Sequence, residues 1–443
     1  MEKNNHAFGQ VPIGRLLLQQ AVPAAVGILV LSIYGIVDTI FVGRFVGSIG
    51  IATITVVLPI TFLISSIGMS IGVGGASVIS RAFGDGNEAR AFSTFGNQIG
   101  MTLTLAVLFV GLGFLFSDEI LQLFGGKGEV LEPAKSYFNI ILMGIPFLAW
   151  AMMSNNVIRA EGYPKVAMYT LIVPAVFNII LDPVFIVVLE MGLEGAAWAT
   201  TLSYVASAAY TLWFFLFGKS IMKVKASWFT PDFALAKEIA SLGAVTLARQ
   251  GMVSILAIVL NNELFKYGGE MGLSVYGVIN RVMMFANFPV LGITQGFVPI
   301  AGYNYGAKLN ERVHKAIRLA LRTSSLIALL IFVLIMSFTG PLVQIFTSDE
   351  GLINETIPAM RKSFLATPLL AFSLIGSAYF QAIGKPTSAL LLALSKQGIF
   401  LVPLVIILPI FFGLDGIWYS FPLADSGAAA ISYFYLKKGT DAL

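Results

Sequence analysis

The chain has 443 residues, 57% of them hydrophobic and only 11% charged, with a net charge of +4 and a mean hydropathy of +0.87. Soluble globular domains carry about a quarter of their residues as charges, so this composition describes a polytopic membrane protein. Cysteine is absent and both histidines, His6 and His314, lie outside the apolar runs, which excludes disulfides, thiol chemistry and most metalloenzyme sites.

Apolar runs of about 20 residues occur at 14–43, 50–80, 93–116, 134–158, 166–189, 195–217, 238–265, 273–303, 315–338, 357–383, 387–412 and 416–436. Twelve crossings place both termini on one side, and the bases say which. With the N-terminus inside, 18 of the 27 Lys and Arg fall on inner segments and six on outer ones, while Arg249, Arg281 and Lys396 lie within spans. Both termini are therefore expected in the cytoplasm. Met1 to Pro12 is polar and shows no cleavable signal pattern. Bases in short loops between spans account for the net charge, so no nucleic-acid partner is expected.

The longest inner connection runs from Gly218 to Ala236 and carries Lys219, Lys223 and Lys225. It divides the chain into an N-terminal six-helix lobe (1–217), a linker (218–237) and a C-terminal six-helix lobe (238–443). The halves resemble each other. Asn156 to Lys165 matches Ala378 to Pro386 at an offset of 222, Glu194 to Trp198 matches Asp415 to Trp418 at 221, and Gly68 to Gly72 matches Gly292 to Gly296 at 224. A repeat with six crossings keeps its orientation, which implies an all-α fold of twelve transmembrane helices in two six-helix lobes related by a pseudo-twofold along the membrane normal. That is a transporter layout.

In the first half, the run from Val166 to Leu189 is apolar except for Asn178 and Asp182. An Asp at mid-helix costs roughly 2.5–3.5 kcal/mol on insertion scales, so a carboxylate there calls for a protein-lined cavity, a proton or a cation. Asn178 and Asp182 are four apart and share a helix face. Pro183 frees the carbonyl of Ile179 one turn earlier. Asp38 lies in the first span beyond Pro23, at a depth comparable with Asp182, and two such carboxylates can share a proton or a small cation. Thr200, following Gly195-Ala196-Ala197, offers a hydroxyl. Two carboxylates, a carboxamide and a hydroxyl form an oxygen cage suited to Na⁺ or H⁺.

The second half differs. The offset of 222 carries Asp38 to about Leu260, Asn178 to Phe400 and Asp182 to Leu404, so the cage belongs to the first half alone. Embedded charges here are Arg249, Glu263, Arg281, Lys396 and Asp425, for which internal ion pairs and the lining of a polar cavity are the two expectations. Met283, with Met284, Phe285 and Phe288, offers an adaptable apolar wall. The inner loops at 81–90 and 302–308 have the Gly and Asn of tight turns and no Walker pattern, so transport would draw on an ion gradient rather than a nucleotide. No catalytic constellation lies at membrane depth, so neither an enzyme nor a cofactor is expected.

Several of these stretches resemble one family. Tyr34 to Gly43 with Asp38, Arg159-Ala160-Glu161-Gly162, Asn178 to Pro183, Gly195 to Thr200, and Thr294-Gln295-Gly296 to Gly306 are similar to the multidrug and toxic compound extrusion (MATE) family, and most to its DinF-like branch. The resemblance covers nearly the whole chain. It implies a secondary antiporter that exports cationic or amphipathic organic compounds in exchange for H⁺ or Na⁺ by alternating access, with Asp38, Asn178, Asp182 and Thr200 as the coupling site. Tyr137 is similar to a tyrosine that family members place in the N-lobe cavity, and Asn156, Arg281, Met283 and Lys396 are expected to line a substrate cavity with it. Other branches place an acid earlier in the seventh span, where this chain has only Glu263, well along it. The expected setting is the cytoplasmic (inner) membrane of a bacterium, as a lipid-embedded monomer. The alternative is a flippase for lipids or lipid-linked oligosaccharides, with Arg249, Arg281 and Lys396 holding an anionic headgroup.

Overall fold

The computed structural model describes residues 7–223 and 230–441; residues 1–6, 224–229 and 442–443, and with them Lys3, His6 and Lys225, lie outside the described residues. The helices are α1 (Ala7–Gln10), α2 (Ile13–Phe45), α3 (Ser48–Gly84), α4 (Glu88–Leu115), α5 (Ser117–Leu123), α6 (Leu131–Ala160), α7 (Pro164–Asp182) and α8 (Gly192–Phe217). They continue as α9 (Phe233–Gly306), α10 (Asn310–Ser337), α11 (Thr339–Gln344), α12 (Glu350–Ser363), α13 (Leu370–Ala382), α14 (Pro386–Leu394), α15 (Val402–Phe412) and α16 (Leu414–Asp441).

Among the described residues all regular structure is helical, and nine helices are long and apolar enough to cross a membrane, or ten when the bent pair α12 and α13 is taken as one span. α9 is two spans run together and broken at Gly269, whose φ of 59° and ψ of −150° are not helical. α12 and α13 form one span bent by 41°. α14 and α15 form another, joined by a π-helical stretch at Ser395–Leu401. α16 carries Asp415 and Asp425 and is less apolar than these spans; it is long enough to cross, and counting it and both parts of α9 gives twelve helices of crossing length. The short α5 and α11 escape a hydropathy reading because neither is long enough to cross.

The breaks recur at one spacing. Left-handed backbone at Gly47, Gly86, Gly162 and Gly192 returns at Gly269, Lys308, Gly384 and Gly413, 221 or 222 residues later. Pro opens α7 at Pro164 and α14 at Pro386, where its missing donor is harmless and its φ is already helical.

The chain separates into two compact units, one of Met1–Gln10 and Val26–Leu247, the other of Val11–Ala25 and Ala248–Leu443. The first unit therefore takes in the opening turns of α9, and the second those of α2. Glycine lets these segments in. A Cβ on Gly74 of α3 would stand 2.2 Å from the Ile239 carbonyl oxygen, and one on Gly243 would stand 2.6 Å from that of Ser70. In the second unit the corresponding approach sets Gly296 against Ala21, where a Cβ would lie 2.8 Å from the backbone nitrogen. The segment expected as a linker is tied into the first unit at both ends. Glu161 accepts hydrogen bonds from Ser220 Oγ and from the backbone N–H of Ile221 and Met222. Further on, Asn97 bonds the Thr230 carbonyl and the Asp232 N–H, and Glu238 pairs with Arg81 at 3.0 Å and Arg90 at 2.6 Å.

Each unit has its own apolar core. Val57, Phe138, Ile141, Leu142 and Ala196 centre the first. Leu260, Leu264, Val278, Ile417 and Phe421 centre the second.

Candidate ion-coupling site

α7 ends at Asp182 because Pro183 has no N–H to continue the ladder, and the backbone widens into a π-helical turn over Pro183–Val188. The hydrogen bonds lengthen: Leu189 N–H donates five residues back to Val184 O at 2.8 Å and Met191 N–H six residues back to Phe185 O at 2.9 Å. Such turns collect at functional sites. Gly195 packs α8 onto this turn, since a Cβ there would lie 2.9 Å from the Phe185 carbonyl. The small residues of Gly195-Ala196-Ala197 thus bring Thr200 against α7.

The four cage residues meet within the first unit. Asn178 and Asp182 are fully buried, Thr200 and Asp38 nearly so. Asn178 Nδ2 donates to Asp182 Oδ1 and to Thr200 Oγ1, each at 3.3 Å. The carboxyl of Asp38, from α2, lies within hydrogen-bonding reach of Asp182. Three acceptor oxygens are left without a partner: Asp38 Oδ1, Asn178 Oδ1 and Asp182 Oδ2. Leaving such oxygens buried and unmatched is costly, and a proton or a hard cation is what would satisfy them.

Three tyrosines surround the acids. Tyr137 of α6 stands beside Thr200, and Tyr204 of α8 beside Tyr34 of α2. The sequence reading did not assign Tyr34 or Tyr204 to the site. Spacing carried the signal, because Tyr34 precedes Asp38 and Tyr204 follows Thr200 by four residues, one helical turn on the same face.

The expected cavity residues fall in both units. In the first, Tyr137 is buried in the core beside the cage. Asn156 turns its amide to the Met152 carbonyl of its own helix at 2.9 Å. The neighbouring Asn155 holds α7, donating to the Ala167 carbonyl and to Thr170 Oγ1, each at 2.6 Å. In the second unit, Met283 packs partly buried against the core and Arg281 is exposed. Lys396, on the π-helical stretch, pairs with Asp425 of α16 at 2.6 Å. Glu263 pairs with Lys266 at 3.7 Å, so three of the five embedded charges, Glu263, Lys396 and Asp425, meet the ion-pair expectation.

Two six-helix halves built on one pattern, the first of them holding a buried pair of neighbouring carboxylates, define a membrane transporter. The MatE family model matches residues 23–184 and 244–407. The chain belongs to this transporter family. It is 26% identical over 435 residues to the multidrug export protein MepA of Staphylococcus aureus (strain MRSA252), covering 97% of this chain and 95% of that protein. It is also similar to the crystal structure of a MATE in complex with MaL6, with a TM-score of 0.94 and 25% identity over 100% of this chain and 99% of that one. The outward-facing conformation of a multidrug resistance MATE family transporter of the MOP superfamily matches equally well, with a TM-score of 0.94 and 25% identity over 100% and 98% of the two chains.

Proposed function

We propose that the chain exports cationic or amphipathic organic compounds in exchange for H⁺ or Na⁺ across a bacterial cytoplasmic membrane, by alternating access, as a monomer with both termini inside. The observation that carries this reading is the set of three unmatched oxygens on Asp38, Asn178 and Asp182. Asn178 fixes the set: one amide nitrogen holds both the Asp182 carboxylate and the Thr200 hydroxyl, so its own oxygen is oriented without further help. Empty, the cage sets two carboxylates side by side away from water; a proton or Na⁺ between them removes the repulsion and draws α2 towards α7. Released inside, the ion leaves a negative site that favours a cationic compound. Exchange follows when ion and compound stabilise different states or compete for the same carboxylates. The residues proposed for contact with the compound are Tyr137 and Asn156 within the first unit and, within the second, Arg281, Met283 and Lys396. The flippase alternative needs Arg249, Arg281 and Lys396 free for a phosphate, whereas Lys396 is already neutralised by Asp425.

The test is uptake of a cationic dye into proteoliposomes under a Na⁺ gradient alone and then a pH gradient alone. The wild type is expected to respond to at least one. Asp38→Asn and Asp182→Asn are expected to fall to the level of empty vesicles, and either variant transporting normally under the active gradient would end the proposal.

A further inference from the structure

The first turns of α10 carry a cationic groove that the transport reading leaves unused. Glu311, His314, Lys315, Arg318, Leu319 and Arg322 line it, around a cavity of about 630 Å³. Residues 311, 315, 318 and 322 are spaced four, three and four apart, which puts them on one helix face. The neighbouring Arg312 is engaged, donating to Asn304 Oδ1 and to the Val11 carbonyl. Lys315, Arg318 and Arg322 are exposed, and among the described residues no ion pair holds them. One acid, Glu311, sits at the rim.

The same face changes character along the helix. Beyond Arg322 it presents Leu326, Leu329, Leu330 and Val333, all exposed. The bases span about 10 Å of the axis and the apolar stripe about 10 Å more. α2 packs close beside it, with Gly14 against Leu319. The other half of the chain shows that the fold does not require these bases. At the offset of 222, α4 occupies the place of α10, and Lys315, Arg318 and Arg322 correspond to Ser93, Gly96 and Gly100.

We propose that this face of α10 binds an anionic phospholipid of the adjoining leaflet, its phosphate among Lys315, Arg318 and Arg322 and an acyl chain along Leu326, Leu329 and Val333. A free phosphate would use only the first part of the face and a neutral lipid only the second. Cationic pockets at the membrane boundary, continuous with an apolar surface, suit a ligand that has both parts.

The experiment is native mass spectrometry and fluorescence titration of the purified full chain with phosphatidylglycerol, cardiolipin and phosphatidylcholine. The wild type should prefer the anionic lipids. Neutralising one base, as in Arg322→Gln, should weaken that binding roughly fivefold, and the triple change Lys315→Gln, Arg318→Gln and Arg322→Gln on the order of a hundredfold. Gel filtration and thermal unfolding check that the variants fold; if the triple variant does not, Arg322→Gln carries the test. Changing Leu326 and Leu330 to Ser should weaken lipid binding without altering its salt dependence. Unchanged phosphatidylglycerol binding in a folded variant lacking the bases would overturn the proposal. So would displacement of the lipid by inorganic phosphate or glycerol 3-phosphate at comparable concentration.

Discussion

The two halves of the chain repeat the same helices and breaks, yet the positions that form the oxygen cage in one are apolar core in the other. At the offset of 222, Tyr34, Asp38, Tyr137, Asn178 and Asp182 correspond to Leu256, Leu260, Ala359, Phe400 and Leu404. At the offset of 221 that aligns Gly195 with Gly416, Thr200 falls on Phe421. Leu256, Leu260, Ala359 and Phe421 belong to the core of the second unit, and Phe400 and Leu404 pack against it. One fold therefore tolerates either filling. The polar one is the costlier of the two in a bilayer, so its presence in the first unit is explained by what it does and not by what it holds together.

The sharpest way to break that comparison is to copy the second half into the first. Asp38→Leu combined with Asp182→Leu should abolish gradient-driven transport while leaving the thermal midpoint equal or higher, since replacing buried charges by well-packed apolar groups is neutral or stabilising by about 1–4 kcal/mol. A marked fall in the midpoint would mean that the acids support the fold. The converse experiment concerns the charges that the second half does bury. Lys396→Met leaves Asp425 alone beside the π-helical stretch and should destabilise by about 3–5 kcal/mol; adding Asp425→Leu should recover most of it. Thermal unfolding of both variants checks this, and a single variant as stable as the wild type would show that the ion pair at 2.6 Å contributes nothing.

How far the sequence shows this asymmetry depends on the range of each interaction. Asp38, Asn178 and Asp182 are legible because a charge or carboxamide stands out in an apolar run, and Asn178 is one turn from Asp182. Thr200 needed the packing of Gly195 on Phe185 to place it. Tyr34 and Tyr204 went unmarked because a tyrosine in a membrane helix is ordinary, and their one-turn spacing from Asp38 and Thr200 gains meaning only once the helices are packed. Lys396 and Asp425 read as separate charges, since their pairing joins different helices. The twelve spans follow from hydropathy, and the gap between 265 and 273 brackets the break at Gly269, but the left-handed backbone at that residue does not follow. Nor does the entry of residues 233–247 into the first unit, which rests on Gly74 and Gly243 meeting backbone far away in the chain.

A smaller contrast lies at the ends of α6 and α13. Glu161, outside the membrane-spanning segments, corresponds to Ile383, and both are buried. Burial raises the Glu161 carboxyl to about 7, outweighing the hydrogen bonds from Ser220 and the backbone of Met222 and Ile221 and the charge of Lys223. The folded protein thus holds this proton more tightly than an unfolded carboxyl near 4.5 does. The stability this contributes is fully present below about 4.5 and is lost as pH rises through about 7. Glu161→Gln should flatten that part of the pH dependence of the thermal midpoint, and a wild-type slope surviving in the variant would place the titration elsewhere.

The smallest expected effect tests the repeat at a single backbone position. Gly86 and Lys308 both end a turn between spans in the left-handed region, with φ of 74° and 57°. An L-residue there is strained by about 1–2 kcal/mol, whereas glycine adds about 0.4–1 kcal/mol of unfolded-state entropy to be lost on folding. The first term is the larger, so Lys308→Gly should stabilise by about 0.5 kcal/mol. Gly86→Lys should destabilise by a similar amount, and a Cβ at Gly86 meets nothing within 4 Å, so no clash confuses the reading. Measured together by thermal unfolding, the two changes should shift the midpoint in opposite directions. A shift of the same sign in both would mean that the two turns, although built alike, carry different loads.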